Sequence, residues 1–421
     1  MEGAHIASLV AARARSAGET PALHHVRFVG RQPTAEPYSY GALYERTQRA
    51  AALLARVSVS AGDRVLVSLG HPSQFLAFLL GSQALGATAV PLPSLAELPI
   101  PSYLERLASV AADARPSAIV TDDRGAAALP DSLPHTAAVI AVGSDELALD
   151  RAAIPTGFCP ERALDQVAFL QYTSGSTGRP KGVVVLHGNL VANLRATAEA
   201  LELDEYDRMY SWLPLFHDMG LVGGLLLGLY VGMPVYVAAP QTFIARPDSW
   251  LRAVSTFRAT ISPGPNFAYH LLARRLPERV LAGIDLSCWR LAFDGAERVD
   301  PDTVRAFIRR YAAYGFAPDT FRPAYGMAEC ALTATMPRPG TPVRYDSIDR
   351  ASLERHGRAL PKPEGAPGSV VYTSAGTALP GFRLRILDLD SDAELPERQV
   401  GEIALSGPSV TPGYFGQSTP L

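Results

Sequence analysis

The chain has 421 residues, of which 48% are hydrophobic and 19% are charged, so it is long enough for a large core and about three folded units, and disorder is not its default state. Its 38 basic and 41 acidic residues give a net charge of −3, which removes the general electrostatic argument for a nucleic-acid-binding protein. The N-terminus lacks a basic segment followed by an apolar one, and the three cysteines lie far apart, so we expect a cytoplasmic protein without a signal peptide or a cysteine-based zinc site.

Helical and strand patterns alternate through the first 150 residues. Apolar spacing predicts helices over residues 40–54, 75–85 and 103–112, the second of which ends at Gly86. Short buried runs predict strands over residues 63–69, 87–92, 117–121 and 137–142. Because helices separate the strands, the pattern favours an α/β fold with a parallel sheet.

The same alternation continues to about residue 336. It predicts strands over residues 167–171, 183–186, 208–213, 235–239 and 289–293, and helices over residues 189–201 and 304–314. The stretch 219–245 carries no charge and is long enough to cross a bilayer. Glycines interrupt it, however, and Gly232-Met233-Pro234 is a turn signal. We therefore predict a buried helix, a turn and a strand there rather than a membrane span.

From about residue 341 the pattern becomes mostly β. Residues 346–360 are charged and predict a surface helix, residues 361–368 a loop, and residues 382–387 and 401–406 strands. We predict three units: a first α/β subdomain over residues 1–165, a second over residues 166–340, and a mostly β subdomain over residues 341–421.

A loop rich in Gly, Ser and Thr carries the main chemical signal. It reads Thr173-Ser174-Gly175-Ser176-Thr177-Gly178-Arg179-Pro180-Lys181-Gly182 and follows a predicted strand. Hydroxyls, accessible backbone N–H groups and a lysine are what a phosphate cradle needs. The loop is not a Walker A motif, because Gly182 rather than Ser or Thr follows Lys181. Lys181 is one of only two lysines in the chain.

The order of residues in this loop resembles the phosphate-binding loop of the adenylate-forming superfamily, which contains acyl-CoA synthetases, luciferases and the adenylation domains of peptide synthetases. Two later segments match the superfamily in the expected order: Asp294-Gly295-Ala296-Glu297 and Tyr325-Gly326-Met327-Ala328-Glu329. The resemblance implies that a carboxylate attacks the α-phosphate of ATP. It implies that residues 294–297 line the adenine and the acyl entrance, that Tyr325 stacks on adenine, and that Glu329 helps to hold Mg²⁺.

Two further segments resemble the fatty acyl-AMP ligases within this superfamily. They are Leu213-Pro214-Leu215-Phe216-His217-Asp218-Met219-Gly220-Leu221 and Gly264-Pro265-Asn266-Phe267-Ala268-Tyr269. The resemblance implies catalytic roles for Lys181, Glu329 and His217, with Asp218 beside His217. It also implies a substrate site that includes Gly220, Gly264 and Pro265. Met219, Leu221, Phe267 and Tyr269 are expected to form an apolar wall for the acyl chain.

The resemblance also implies an architecture and partners. We expect the large domain of an adenylate-forming enzyme, with two parallel-sheet subdomains and a small distorted β-barrel, and with ATP and Mg²⁺ as cofactors. The fatty acid is expected to pass to the phosphopantetheine thiol of an acyl carrier protein, and an insertion around residues 345–374 is associated with rejecting CoA. Full-length relatives carry a further mobile domain with a lysine; we expect it to be absent here, leaving a truncated, weakly active monomer.

Three alternatives stay open from the sequence. An acyl-CoA synthetase shares the same loop. An amino acid or aryl acid adenylation domain does so too, although an amino acid activator needs a carboxylate for the substrate ammonium, for which Asp218 is the formal candidate. A nucleotide-binding protein that has lost catalysis is the alternative from another class. The sequence offers no basic stripe and no metal-hydrolase motif.

Overall fold

The computed structural model describes residues 5–130, 137–143, 157–173 and 180–417. The α-helices are α1 (Ile6–Ser16), α2 (Tyr40–Arg56), α3 (Pro72–Leu85), α4 (Ile100–Ala114), α5 (Asp123–Ala128), α6 (His187–Ala200), α7 (Leu227–Val231), α8 (Pro240–Ala245), α9 (Asp248–Phe257), α10 (Asn266–Arg275), α11 (Pro301–Tyr311) and α12 (Arg350–His356).

The strands are β1 (Pro21–Val29), β2 (Gln32–Ser39), β3 (Arg64–Ser68), β4 (Thr88–Pro91), β5 (Ala118–Asp122), β6 (Ala138–Val142), β7 (Val167–Thr173), β8 (Lys181–Leu186), β9 (Met209–Ser211), β10 (Val235–Ala238), β11 (Ile261–Pro265), β12 (Leu291–Gly295), β13 (Phe321–Pro323), β14 (Tyr325–Gly326), β15 (Thr333–Met336), β16 (Tyr345–Asp349), β17 (Ser369–Thr373), β18 (Thr377–Ala378), β19 (Arg383–Leu387) and β20 (Glu402–Ser406). The helices and strands predicted up to residue 336 are present. Helices α2, α3 and α4 are longer than predicted, whereas most of the predicted strands are shorter by one to three residues or are shifted along the chain.

Two large sheets form the body of the fold. The first has the strand order β6-β5-β3-β4-β7-β8, and the second has the order β13-β12-β11-β9-β10-β1-β2. Pairing is parallel within each sheet except at one edge, where β7 pairs with β8 and β1 pairs with β2 in antiparallel fashion. The predicted parallel α/β arrangement is therefore confirmed for the sheet interiors, and the antiparallel edges were not predicted.

The sheets do not follow the predicted division of the chain at residue 165. The hairpin β1–β2 comes from the N-terminal part of the chain, yet it joins the second sheet through β10. Conversely, β7 and β8 follow residue 165 and join the first sheet through β4. The chain thus crosses between the sheets more than once. The division into three units stays a prediction.

Helix α3 packs against strands of both sheets and is buried along its whole length. Apolar residues lie on every side of the helix, as expected for a helix without a solvent face. The helix ends at Gly86, which adopts a left-handed conformation with φ of 77°. Glycine reaches this conformation at little cost, so the predicted end of the helix is confirmed.

The uncharged stretch after residue 218 is a helix, a turn and a strand, as predicted. Residues Met219–Leu226 form a π-helix that continues directly into α7. Gly232 caps this helix in a left-handed conformation, and β10 follows. Long π-helical segments are rare and occur mostly at functional sites. Within the described ranges no helix combines the length and the apolarity needed to cross a membrane.

The C-terminal part consists mainly of short antiparallel pairs. Strand β16 pairs with β17, β19 with β20, and β18 joins β14 and β15. The predicted surface helix over residues 346–360 is wrong in its first part, which is β16, and right for α12, because the backbone of residues 345–349 pairs with residues 369–373. Among the described residues these ladders form three separate hydrogen-bonded sheets.

Candidate active site

A cavity of about 270 Å³ opens where β11, β12 and β13 end. Carboxyl ends of parallel strands are where open α/β sheets bind their ligands. Strand residues and their successors form one wall, and the π-helix and α6 face them. The lining residues that lie outside the sequence motifs are Asn193, Leu194 and Thr197 of α6, Val222 and Gly223 of the π-helix, Leu227 of α7, Pro263, Phe293, Ala324, Leu332, Thr333 and Met336.

Most of this lining is apolar, and the sequence motifs supply only part of its polar residues. Thr173, His217, Asp218 and Glu329 line the cavity, together with Tyr325, Gly326, Met327 and Ala328. Thr173, His217 and Asp218 also line a second cavity beside α4. These three residues therefore lie between the two cavities. A ligand group beside them would be accessible from either cavity.

The predicted phosphate loop connects two antiparallel strands. Thr173 at the end of β7 pairs with Lys181 at the start of β8, so Lys181 lies on a strand rather than in the loop. Ser174, Gly175, Ser176, Thr177 and Gly178 lie outside the described residues. Because the segment after the loop is a strand, the loop differs from phosphate sites that use a helix N-terminus.

Gly182 explains why the motif ends in glycine. A Cβ atom at this position would lie 2.8 Å from Cζ of Tyr172, its cross-strand neighbour. Such a contact is shorter than side-chain packing tolerates, so any larger residue would push Tyr172 away. The glycine thus permits the close pairing that places Lys181 opposite Thr173.

Tyr414 joins the two charged residues implied by the motifs. Its hydroxyl donates to Oε1 of Glu329 at 2.7 Å, and Nζ of Lys181 lies 5.1 Å from its ring centroid. Burial, and then the hydrogen bond to Glu329, raises the pKa of Tyr414 to about 12, so the phenol remains a donor at neutral pH. Thr411 N also donates to the carbonyl of Glu329 at 2.8 Å. No sequence motif indicates these contacts, because Tyr414 is far from Glu329 and Lys181 along the chain.

The pair His217–Asp218 forms a hydrogen-bonded ion pair, with 2.8 Å between Nδ1 and Oδ1. Asp218 also accepts from its neighbour Met219 N at 2.7 Å, which holds the carboxylate at the start of the π-helix. The hydrogen bond to Asp218 raises the pKa of His217. Half of the imidazole surface is exposed, at 51%. In this geometry Asp218 orients the imidazole of His217.

The segment Tyr325–Glu329 forms β14 and a short turn, and all five residues line the cavity. Gly326 is required here, because a Cβ would lie 1.8 Å from the carbonyl oxygen of Leu332. Met327 N donates to that same oxygen at 2.8 Å. This tight turn brings the ring of Tyr325 and the carboxylate of Glu329 to one cavity.

The segment 294–297 only partly reaches the cavity. Gly295 and Ala296 line it, and Ala296 holds a left-handed conformation with φ of 68°, which is uncommon for a residue with a side chain. Asp294 is instead fully buried, and accepts from Asn266 Nδ2 at 2.6 Å. Burial raises the pKa of Asp294 well above its usual range. Glu297 accepts from Phe267 N at 2.6 Å and lies outside the cavity lining.

The expected apolar wall needs correction. Tyr269 is fully buried in an aromatic cluster with Trp250 and Trp289, and its hydroxyl donates to the carbonyl of Phe293. Phe267 points away from the core and is 55% exposed, and Leu221 is a core residue. Of the four residues expected, only Met219 lines the cavity.

The glycine and proline positions of the substrate motifs serve the packing around the cavity. A Cβ at Gly264 would lie 2.2 Å from the ring of Trp250, and one at Gly220 would lie 2.1 Å from the carbonyl oxygen of Pro214. Gly264 and Pro265 end β11, and their neighbour Pro263 is the one that lines the cavity. The sequence predicted a helix over residues 189–201 but not its place in the cavity wall, where Asn193, Leu194 and Thr197 of α6 follow the helical spacing of a single face.

The segment 345–374 packs against the second α/β layer through arginines. Arg305 of α11 forms an ion pair with Glu364, with 2.9 Å between Nη2 and Oε2, and lies over the ring of Tyr345 at 4.4 Å. Arg298 lies over the ring of Tyr372 at 4.5 Å. The segment is thus attached beside the cavity-bearing sheet by charge and ring contacts.

Comparison with known proteins agrees with this geometry. The family model described as AMP-binding enzyme matches residues 10–415. A medium-chain fatty acid–[acyl-carrier-protein] ligase of Moorena producens is 34% identical over 90% of this chain and 64% of its own length. A long-chain fatty acid–AMP ligase of Mycolicibacterium smegmatis is 35% identical over 88% of this chain and 59% of its own length. The chain thus spans about three fifths of the length of these relatives.

A solved structure resembles the whole chain. The fatty acyl-adenylate ligase of Legionella pneumophila, in complex with acyl adenylate and pyrophosphate, matches with a TM-score of 0.87 and 29% identity, over 98% of this chain and 70% of its own. The predicted fold class, the α/β large domain of adenylate-forming enzymes, is therefore confirmed.

Proposed function

Because the chain belongs to the AMP-binding enzyme family, we propose that it is the acid-activating part of a fatty acyl-AMP ligase. It would join a medium- or long-chain fatty acid to ATP, forming an acyl-adenylate and releasing pyrophosphate. The observation that carries the proposal is one cavity whose apolar walls meet the polar side chains of Thr173, His217 and Glu329. An apolar pocket with a few convergent polar groups suits an amphipathic acid and its activating nucleotide.

The acyl chain is assigned to the wall made by α6 and the π-helix. The apolar side chains on and beside this wall are Leu194, Val222, Leu227, Leu332 and Met336. Each buried methylene of a bound chain contributes about 0.8 kcal/mol, so a long acyl chain gains more from this wall than an amino acid side chain does. This supports a fatty acid over the amino acid alternative, since Asp218 is already engaged by His217 and Met219 N.

The nucleotide is assigned to the opposite wall. Tyr325 offers its ring to adenine, and the backbone of Gly295 and Ala296 lies beside it in the lining. Thr173, Lys181 and the loop residues 174–178 are assigned to the phosphates. Lys181 is a compact positive charge, and it is held by the ring of Tyr414 next to Glu329.

Glu329 fits a Mg²⁺ ion that accompanies ATP. Its carboxylate lines the cavity and is oriented by the Tyr414 hydroxyl, and oxygen ligands are what Mg²⁺ prefers. When bound through Glu329, the ion would supply positive charge that neutralises the phosphates. The chain's own part is to hold Glu329 in place and to bring Lys181 near the same phosphates.

His217 is assigned to the carboxylate of the fatty acid. The neighbouring Asp218 favours the protonated imidazole, and a cationic ring attracts and orients a carboxylate. Since His217 also lines the second cavity, it lies where both the acid and a later acyl acceptor can approach. We assign that acceptor to the phosphopantetheine thiol of an acyl carrier protein.

Three further points belong to this proposal. The segment 345–374, attached through Arg305 and Glu364, is proposed to be the element that disfavours CoA as an acceptor. The chain is proposed to act as a monomer. Its site of action is proposed to be the cytoplasm, where ATP and acyl carrier proteins are found together.

A thermal-unfolding titration with two non-hydrolysable adenylate analogues, one dodecanoyl and one aminoacyl, tests the proposal. A ligand at about 100 times its Kd stabilises the folded state by about 2.7 kcal/mol. We expect selective stabilisation by the dodecanoyl analogue. Selective stabilisation by the aminoacyl analogue would replace the fatty acid with an amino acid, and no response to either would contradict adenylate binding by this chain.

A further inference from the structure

Three potential metal ligands from distant parts of the chain meet at the edge of the second sheet. His25 on β1 lies directly opposite Glu36 on β2 in the antiparallel ladder. His71, the residue before α3, approaches the same point. One ligand atom of each of the three lies within 4.8 Å of the others. None of them lines either of the cavities described above.

The two imidazoles face each other in an environment suited to ligation. Their ring centroids are 4.2 Å apart in an edge-to-face arrangement. Nδ1 of His25 is buried and has no hydrogen-bond partner within the described parts of the chain, and a buried polar atom without a partner is costly unless a ligand satisfies it.

Neighbouring hydroxyls hold two of the three ligands in place. Nδ1 of His71 lies 3.1 Å from Oγ of Ser73, which orients the ring and leaves its Nε2 for a ligand. The hydroxyl of Tyr38 donates to Oε1 of Glu36 at 2.6 Å. Outer partners of this kind are typical of protein metal sites, where they fix the orientation of histidine and carboxylate ligands.

We propose that His25, Glu36 and His71 form a binding site for a divalent transition metal ion, with zinc as the best match. Two imidazoles and one carboxylate suit zinc, cobalt or nickel rather than magnesium or calcium, which prefer oxygen ligands. Three protein ligands leave one tetrahedral position for water. Zinc–nitrogen bonds of about 2.1 Å require ligand atoms about 3.4 Å apart, so small side-chain rotations close the site.

Positive charge nearby sets the expected strength of the site. Nη2 of Arg27 lies 3.4 Å from Oε2 of Glu36, and Arg46 lies over the ring of Tyr38 at 4.9 Å. A metal ion on Glu36 therefore displaces Arg27 and is repelled by Arg46. We expect binding to be specific but weaker than in a zinc site without such neighbours.

A bound ion would connect the two sheets. His25 and Glu36 belong to the hairpin at the edge of the second sheet, whereas His71 directly precedes α3, the helix that packs against both sheets. Metal binding to the folded state alone would raise the unfolding temperature, with an increment that grows with the logarithm of the free ion concentration. The role is structural and independent of the proposed ligase chemistry.

Cobalt titration of the metal-free chain tests the proposal through the visible absorption of Co²⁺, whose intensity distinguishes four-coordinate from six-coordinate ions. We expect an intense band that saturates at one equivalent, disappears on addition of Zn²⁺, and persists in excess Mg²⁺. The variants His71→Ala and His25→Ala should abolish it. His356→Ala removes an exposed histidine of α12 and should leave it unchanged.

Glu36→Gln keeps the size of the side chain and an acceptor for Tyr38, so it tests the site with little risk to folding. We expect its affinity for Co²⁺ to fall by more than the roughly 10- to 100-fold that loss of an outer partner costs. Absence of the band in the unaltered chain, its persistence in both histidine variants, or its displacement by Mg²⁺ would overturn the proposal.

Discussion

The phenol of Tyr414 donates a hydrogen bond of 2.7 Å to Oε1 of Glu329. The same ring lies beneath Nζ of Lys181, and the backbone of Tyr414 forms a bridge with Val183, two residues after that lysine. One aromatic residue near the end of the described chain therefore fixes the distance between the cation at the phosphate loop and the carboxylate assigned to Mg²⁺. Charged groups that approach a nucleotide need this kind of fixed geometry.

Two substitutions of Tyr414 distinguish its contact with Glu329 from its contact with Lys181. Tyr414→Phe removes only the hydrogen bond to Glu329, and we expect a loss of about 1 kcal/mol in the free energy of unfolding, since the acceptor is charged but partly solvated. Tyr414→Leu also removes the ring under Lys181. We expect the affinity for the dodecanoyl-adenylate analogue to fall by less than about tenfold in the first variant and by more in the second.

Tyr314→Phe is the matched control for this pair. Its hydroxyl donates to Oε2 of Glu278 at 2.7 Å on the exposed surface, away from the cavity. This variant should leave analogue affinity unchanged. Equal affinities for all three variants, measured by isothermal titration calorimetry, would show that Tyr414 does not position the nucleotide site.

Asp294 makes stability depend on pH in an unusual direction. Burial holds its pKa well above the usual range, so the folded state keeps a proton that the unfolded chain releases above about pH 4. Stability from this group is therefore complete below that pH and is lost as the pH rises toward the folded-state pKa. Asp294→Asn, which keeps an acceptor for Asn266, removes this loss.

The measurement is urea unfolding of both proteins between about pH 5 and about pH 8. We expect Asp294→Asn to be more stable than the parent, with a difference that grows with pH. Asp165→Asn replaces an exposed carboxylate and serves as the control. A difference that is constant across this range would mean that Asp294 is ionised in the folded state.

The elements were readable from the sequence because they depend on local patterns. Apolar runs marked the buried strands, Gly86 marked the end of α3, and the order of residues 325–329 brought Tyr325 and Glu329 to the cavity. The antiparallel edges were missed, because pairing of β1 with β2 and of β7 with β8 depends on which strands become neighbours.

The errors at the site share a physical cause. Tyr269 and Phe267 were chosen because they stand in a substrate motif, but the motif does not reveal which side chain faces the core, and Tyr269 is taken by the aromatic cluster around Trp250. Tyr414 and the cluster of His25, Glu36 and His71 arise from contacts over long separations in sequence. No spacing rule reports such contacts.

The pair His217–Asp218 also makes stability fall as the pH rises. Here the cause is a hydrogen bond to a carboxylate, whereas for Asp294 it is burial. The hydrogen bond to Asp218 raises the pKa of His217, so its stabilising effect is complete below the unfolded-state pKa of about 6.5 and is lost as the pH rises through the folded-state value. Asp218→Asn keeps an acceptor for Met219 N but removes the charge. We expect the NMR titration of His217 to shift to lower pH in this variant. A titration midpoint that does not move would contradict the assigned role of Asp218.

Gly326 tests the shape of the cavity wall. A methyl group at this position would lie 1.8 Å from the carbonyl oxygen of Leu332, so the turn that presents Tyr325 and Glu329 has to shift. We expect Gly326→Ala to cost about 3 kcal/mol or more in the free energy of unfolding and to weaken binding of the dodecanoyl-adenylate analogue. At Gly143 the nearest atom to such a methyl is 3.6 Å away, so Gly143→Ala should be nearly neutral. Equal stability of the two variants in urea unfolding would contradict the tight turn.

Substitution of Leu194 tests whether the α6 wall of the cavity contacts the acyl chain and limits its length. Leu194 and Leu190 are both 1% exposed on the same helix, but only Leu194 lines the cavity. A phenylalanine at either position overpacks its surroundings at a cost of about 1–3 kcal/mol, so the two variants are matched in stability. We expect Leu194→Phe to exclude about two methylenes of a dodecanoyl chain. At about 0.8 kcal/mol each, this loss weakens binding of the dodecanoyl-adenylate analogue by about 15-fold.

A hexanoyl analogue should bind all three proteins alike, and Leu190→Phe should keep the parent's preference. If calorimetry gives the same ratio of dodecanoyl to hexanoyl affinity in both variants, the acyl chain lies elsewhere, and the second cavity beside α4 becomes its place.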